Sequence, residues 1–123
     1  MKNKIFKIEW TIYPFDTIVS IWGTNKEAIK NMIDFWVSEE TASNVCNEEA
    51  QWRAVMYKNW VTIIRLKHEP KCAVSLAYMA HEIFHTTFFL MDRIWIDLTP
   101  ESDEAFAYYI WYLTRTILEN TKR

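Results

Sequence analysis

Residues 72–91, CAVSLAYMAHEIFHTTFFLM, decide how this chain is read. Val74, Leu76, Met79, Ile83, Phe84, Phe88 and Leu90 spread apolar side chains round almost the whole circumference of a helix, the pattern of a central, buried element. The length admits a membrane span, but His81, Glu82 and His85 stand at the centre, where lipid makes them costly. Those residues are an HExxH sequence. Two histidines at i and i+4 share one helix face and can reach one metal ion, with Glu82 near enough to take a proton from a water on it. An ionised glutamate in so apolar a helix is expensive alone, and a metal offsets that cost.

Upstream, residues 4–13 alternate, with Phe6, Ile8, Trp10 and Ile12 against Lys7, Glu9 and Thr11, and predict a half-buried strand. Pro14 to Asp16 reads as a turn, and Thr17 to Trp22 as a second strand paired with the first, ended by Gly23. Thr24 or Asn25 caps a helix whose stripe is Ile29, Met32, Ile33 and Trp36, ending near Val37. The acidic stretch 38–50 is either a loop or a short helix. Trp52–Tyr57 and Trp60–Lys67 read as strands joined at Lys58-Asn59 by a tight hairpin, and His68-Glu69-Pro70 stops the second. Downstream, Asp92–Leu98 is a loop. Thr99 as N-cap, Pro100 at the first helical position and acids in the first turn start a helix that runs to about Asn120. The order β β α β β α α predicts one α+β domain over residues 1–123, a small antiparallel sheet packed on three main helices.

Half of the 123 residues are apolar and 16% aromatic, which excludes a disordered chain. A net charge of −2 leaves no basic field for a phosphate backbone, so nucleic acid is not an expected partner. The single glycine excludes glycine-rich phosphate loops, and Cys46 and Cys72 make no CxxC pair. The N-terminus lacks a secretory h-region, so a cytoplasmic protein away from membranes is expected. Seven tryptophans in so small a chain are read as core or interface mass, with a homodimer among the expectations.

The third metal ligand sets the class. Phe88 and Met91 stand where a metzincin needs its glycine and third histidine, which excludes that class. The acids after His85 are Asp92, Asp97, Glu101, Asp103, Glu104 and Glu119. HExxH followed by a glutamate in the E-x-x-A context of Glu104-Ala105-Phe106-Ala107 resembles the signature of gluzincin zinc metallopeptidases. The eighteen residues between His85 and Glu104 resemble the aminopeptidase-N group in spacing. Over residues 60–115 the chain looks like a minigluzincin of the sort found in bacterial and phage genomes. The resemblance implies zinc held by His81, His85 and Glu104 on a zincin-like helix pair, Glu82 as general base, and a peptide or protein substrate. Two family features are missing: Tyr108 stands where thermolysin-like enzymes carry an aspartate, and there is no GxMEN motif.

Tyr108 lies one helical turn past Glu104 on the same face, the best placed of Tyr108, Tyr109 and Tyr112 to donate to a tetrahedral oxyanion. Asp103 is a candidate to orient a ligand imidazole, His68 a candidate to assist, and Trp60–Lys67 a candidate sheet edge for an extended peptide. The expected function is zinc-dependent peptide hydrolysis. The alternative is a zinc-containing, non-catalytic interaction protein of a phage or bacterial system.

Overall fold

Strands β2 (Asp16–Ile21) and β4 (Val61–Leu66) are rich in β-branched residues and form the centre of a four-stranded sheet, flanked by β1 (Lys4–Ile8) and β3 (Trp52–Tyr57) in the order β1-β2-β4-β3. The computed structural model describes residues 2–9, 13–47, 52–57 and 60–122. The expected strand segment Trp10–Ile12 and the hairpin pair Lys58-Asn59 lie outside them.

The fold is α+β, as expected, but the sheet is mixed. β1 pairs with β2 and β3 with β4 in antiparallel fashion, whereas β2 and β4 run parallel, with Val19 opposite Ile64. The stretch between β2 and β3 is long enough for two helices, α1 (Asn25–Asp34) and α2 (Glu39–Val45). These helices return the chain to the end of the sheet where β2 stops; β3 then runs back, starting with Trp52 opposite Leu66, so that β4, antiparallel to β3, lies alongside β2 in the same direction. Thr24 and Ser38 cap the two helices through their side-chain oxygens, and the acidic stretch holds a short helix over Glu39–Val45.

Alternation along the central strands splits the core into two layers. Ile18 and Ile63 pack with Ala28, Met32, Val37, Ala42 and Val45 of the α1–α2 side. Val19, Ile21, Ile64 and Leu66 pack with α3 (Ala73–Arg93) and α4 (Asp103–Thr121). Four helices thus cover both faces, rather than three. Arg65 is buried beneath the turn after β2, where its guanidinium donates to the Trp22 carbonyl at 2.6 Å and the Gly23 carbonyl at 3.0 Å.

α4 begins later than the sequence suggests. Thr99 to Ser102 close a turn instead: the Ser102 N–H donates to the Thr99 carbonyl at 3.1 Å, with Pro100 at the second position. Proline's fixed φ suits that place as well as a helix start. Ser102 becomes the N-cap residue, and Glu104 falls in the first turn.

Among the described residues, the four non-glycine residues with left-handed backbone are all tryptophans: Trp22, Trp36, Trp60 and Trp95, with φ between 63° and 68°. Trp36 and Trp95 each follow a helix in a Schellman closure. Val37 donates to the Met32 carbonyl and Trp36 to that of Ile33, both at 3.0 Å; Ile96 donates to Met91 at 2.8 Å and Trp95 to Asp92 at 3.1 Å. Glycine is the usual residue there. Both rings are 92% exposed, so these two tryptophans are not core mass.

Candidate metal centre

α3 is not buried all round. Met79, Glu82, Ile83, Thr86, Thr87, Leu90 and Met91 form its inner side. Thr86 and Thr87 stay on that side by donating their hydroxyls to the Glu82 and Ile83 carbonyls, at 3.0 and 2.8 Å. The opposite side, with Val74, Tyr78, Phe84 and Phe88, faces out. A 3.6-residue repeat cannot say whether a second apolar face meets the protein's own core or something else.

His81 stands exposed among these outward residues, and His85, one turn on, is partly buried beside it. Their Nε2 atoms lie 3.1 Å apart and their ring centroids 4.6 Å apart. Two corners of a tetrahedron around zinc, at 2.0–2.1 Å from the metal, are about 3.3 Å apart. The pair therefore has the spacing of a two-point chelate. The His81 side chain is largely exposed, so the open side of the pair reaches solvent. The Phe89 ring lies nearly parallel to that of His85 at 6.0 Å.

Glu82 points toward the sheet. Its carboxylate is buried, with one oxygen 3.9 Å from His81 Nε2. Burial pushes its pKa above the ordinary glutamate value, while His81, His85, the Arg53 guanidinium and the Ala54 backbone N–H pull the other way. A carboxyl held partly against ionisation beside two imidazoles is a group that can take up and return a proton. Arg53 and Ala54 belong to β3, and nothing in the sequence pointed to them, because their role depends on which strand lies against α3.

That strand is β3. It is an edge of the sheet, while β4 is enclosed by β2 and β3. The expectation of an edge at Trp60–Lys67 is thereby corrected: the strand hydrogen bonds on both sides of β4 are taken, and β3 is the edge that packs on α3.

The remaining candidates are not gathered here. Among the described residues no group of three or more His, Cys, Asp or Glu side chains is placed to hold a metal. Glu104 is exposed in the first turn of α4 and does not complete the His81–His85 pair in this arrangement. Tyr108 is half-exposed and rests on Trp111 with ring centroids 5.6 Å apart; among the described residues its hydroxyl meets neither histidine. Asp103 is exposed beside Glu104. His68 lies before α3 in a shallow hollow shared with Lys71, Cys72 and Tyr78. Tyr109, by contrast, is buried, with its ring edge-on to Tyr13 at 5.5 Å. The donor set therefore fits zinc in two of the three expected ligands.

No helix among the described residues is long and apolar enough to cross a membrane. Compared with family models, curated proteins and solved structures, the chain matches none.

Proposed function

We propose that the protein is a zinc-dependent peptidase of gluzincin type, acting through His81, Glu82 and His85. The observation that carries this reading is the placement of one buried carboxyl, Glu82, beside two imidazole nitrogens 3.1 Å apart on an open helix face. Zinc bound there would supply Lewis acidity toward a carbonyl oxygen and acidify a nearby water. Glu82 would take the proton of that water and return it to the leaving amine, a role for which its raised pKa suits it. β3, beside α3 at the edge of the sheet, would hold an extended peptide by strand addition. Glu104 remains the third ligand that the resemblance implies, and Tyr108 the candidate oxyanion donor.

The test compares wild type with Glu82→Gln. Both should bind zinc and fold alike, and the variant should hydrolyse unstructured peptides about 10²–10⁴-fold more slowly. Equal turnover would remove Glu82 from the chemistry. The separate position of Glu104 favours a second reading, a zinc-holding interaction domain of a phage or bacterial system. Full zinc loading with no turnover by wild type on a broad peptide library would select it.

A further inference from the structure

His85 is set among aromatic rings. Side chains on a helix lean toward its N-terminus, so residues four apart lie one over the next along the same flank. On α3 this builds a column of His81, His85 and Phe89. The His81 ring stands edge-on to that of His85, at 74° with centroids 4.6 Å apart, whereas the Phe89 ring lies at 20° to it with centroids 6.0 Å apart. The second spacing is within the roughly 4.5–7 Å over which offset, near-parallel rings attract. Phe84, inclined at 64° with its centroid 6.2 Å away, is a further neighbour of the same imidazole.

Exposure separates the two imidazoles. The His81 side chain is 64% exposed, while His85 and Phe89 are both partly buried. An imidazole on an open helix face keeps two staggered χ1 wells and a broad χ2. Fixing such a side chain at the moment of binding costs about two- to tenfold in affinity. A near-parallel ring removes much of that cost beforehand, because turning the imidazole out of its plane drives an edge into the phenyl face. In the orientation so held, His85 Nε2 already lies 3.1 Å from His81 Nε2. Phe89 does not belong to the fully buried inner side of α3, so the core does not depend on its ring. It has no charge and no ligand atom, and its influence on the pair runs through His85.

Resting on the metal site proposed above, we infer that Phe89 is a positioning residue whose ring holds the His85 imidazole in the plane from which Nε2 meets His81. His85 is then the preformed half of the two-point chelate, and His81, open to solvent, is the half that orders on binding.

The test uses the full chain with zinc or cobalt(II) alone and no peptide. Phe89→Leu keeps an apolar side chain and removes the ring; Phe89→Tyr keeps the ring. Zinc affinity, read by competition with a chromophoric chelator, should fall about two- to tenfold in Phe89→Leu and stay within about twofold of wild type in Phe89→Tyr. The spectrum at saturating cobalt(II) should be the same in all three, because the ligands are unchanged. In the metal-free wild type, side-chain couplings of His85 by NMR should report one rotamer, and its ring protons a ring-current shift that Phe89→Leu removes. The resonances of His81, two turns from Phe89, should move less. Rotamer-averaged His85 couplings in the wild type overturn the inference without any variant. So does a Phe89→Leu chain, folded by circular dichroism, that binds zinc as tightly as wild type, or a Phe89→Tyr chain that loses as much affinity as Phe89→Leu; each of these leaves the metal site itself standing. A wild type that takes up no zinc defeats the proposed function, and this inference with it, even where the metal-free His85 ring proves fixed.

Discussion

Replacing Trp36 and Trp95 by glycine should make the protein more stable. Each holds a left-handed backbone, φ 68° and 63°, at the position that closes a helix. An L-residue with a Cβ pays about 1–2 kcal/mol there. Glycine removes that strain but frees the unfolded chain, which returns about 0.4–1 kcal/mol. The rings offset little, since each is 92% exposed. The covered remainder of a tryptophan is about 20 Å², or about 0.5 kcal/mol at the usual 25 cal/mol per Å². At the middle of these ranges the balance is a gain of about 0.3 kcal/mol per site. The two sites lie in different layers of the fold and should add, to about 0.6 kcal/mol for the pair. For a chain of this size that raises Tm by about 2 °C. Calorimetry of Trp36→Gly, Trp95→Gly and the pair should find this, with Trp36→Ala and Trp95→Ala as controls that remove the ring and keep the strain. If glycine lowers Tm as far as alanine does, the rings contribute contacts that outweigh backbone strain, and the reasoning fails.

Three further outcomes are expected. Glu104→Ala should weaken zinc binding while Glu101→Ala and Glu119→Ala leave it intact; a metal indifferent to Glu104→Ala but lost in Asp97→Ala or Asp103→Ala would end the gluzincin assignment, as read by zinc content after dialysis. His81→Ala with His85→Ala should abolish zinc binding and the rise in Tm that zinc confers on the wild type, and retention of the metal by this double variant would rule out the pair as its site. Burial pushes the Tyr109 phenol above its usual value, so the folded chain resists ionisation that the unfolded chain accepts. Stability should therefore be full below the ordinary phenol range and fall as pH rises through it toward the folded value, and Tyr109→Phe should flatten that fall in urea titrations at alkaline pH.

What was legible in the sequence was local. The i, i+4 spacing of His81 and His85 needs only a helix to bring two nitrogens together, and α3 supplies it. The β-branched and aromatic composition of Thr17–Trp22 reported a strand, and the antiparallel pairing of β3 with β4 followed from their closeness in the chain. What was not legible depended on partners distant in sequence. Nothing in Trp60–Lys67 says that β2 will pair on its far side and exclude it from the edge, because a strand buried on both faces reads alike at the centre of a sheet or at its rim. Glu104 depends on how residues 94–102 return the chain, and Thr99-Pro100-Glu101-Ser102 offered two solutions, a helix start or a turn. Both satisfy proline; the turn also gives the Thr99 N–H an acceptor in the Ser102 hydroxyl, at 2.9 Å. The apolar circumference of α3 was ambiguous in a different way. The sequence reading made α3 a central helix buried all round, whereas the fold covers only one of its sides. An excess of this kind reads as a buried core helix when one chain is considered alone.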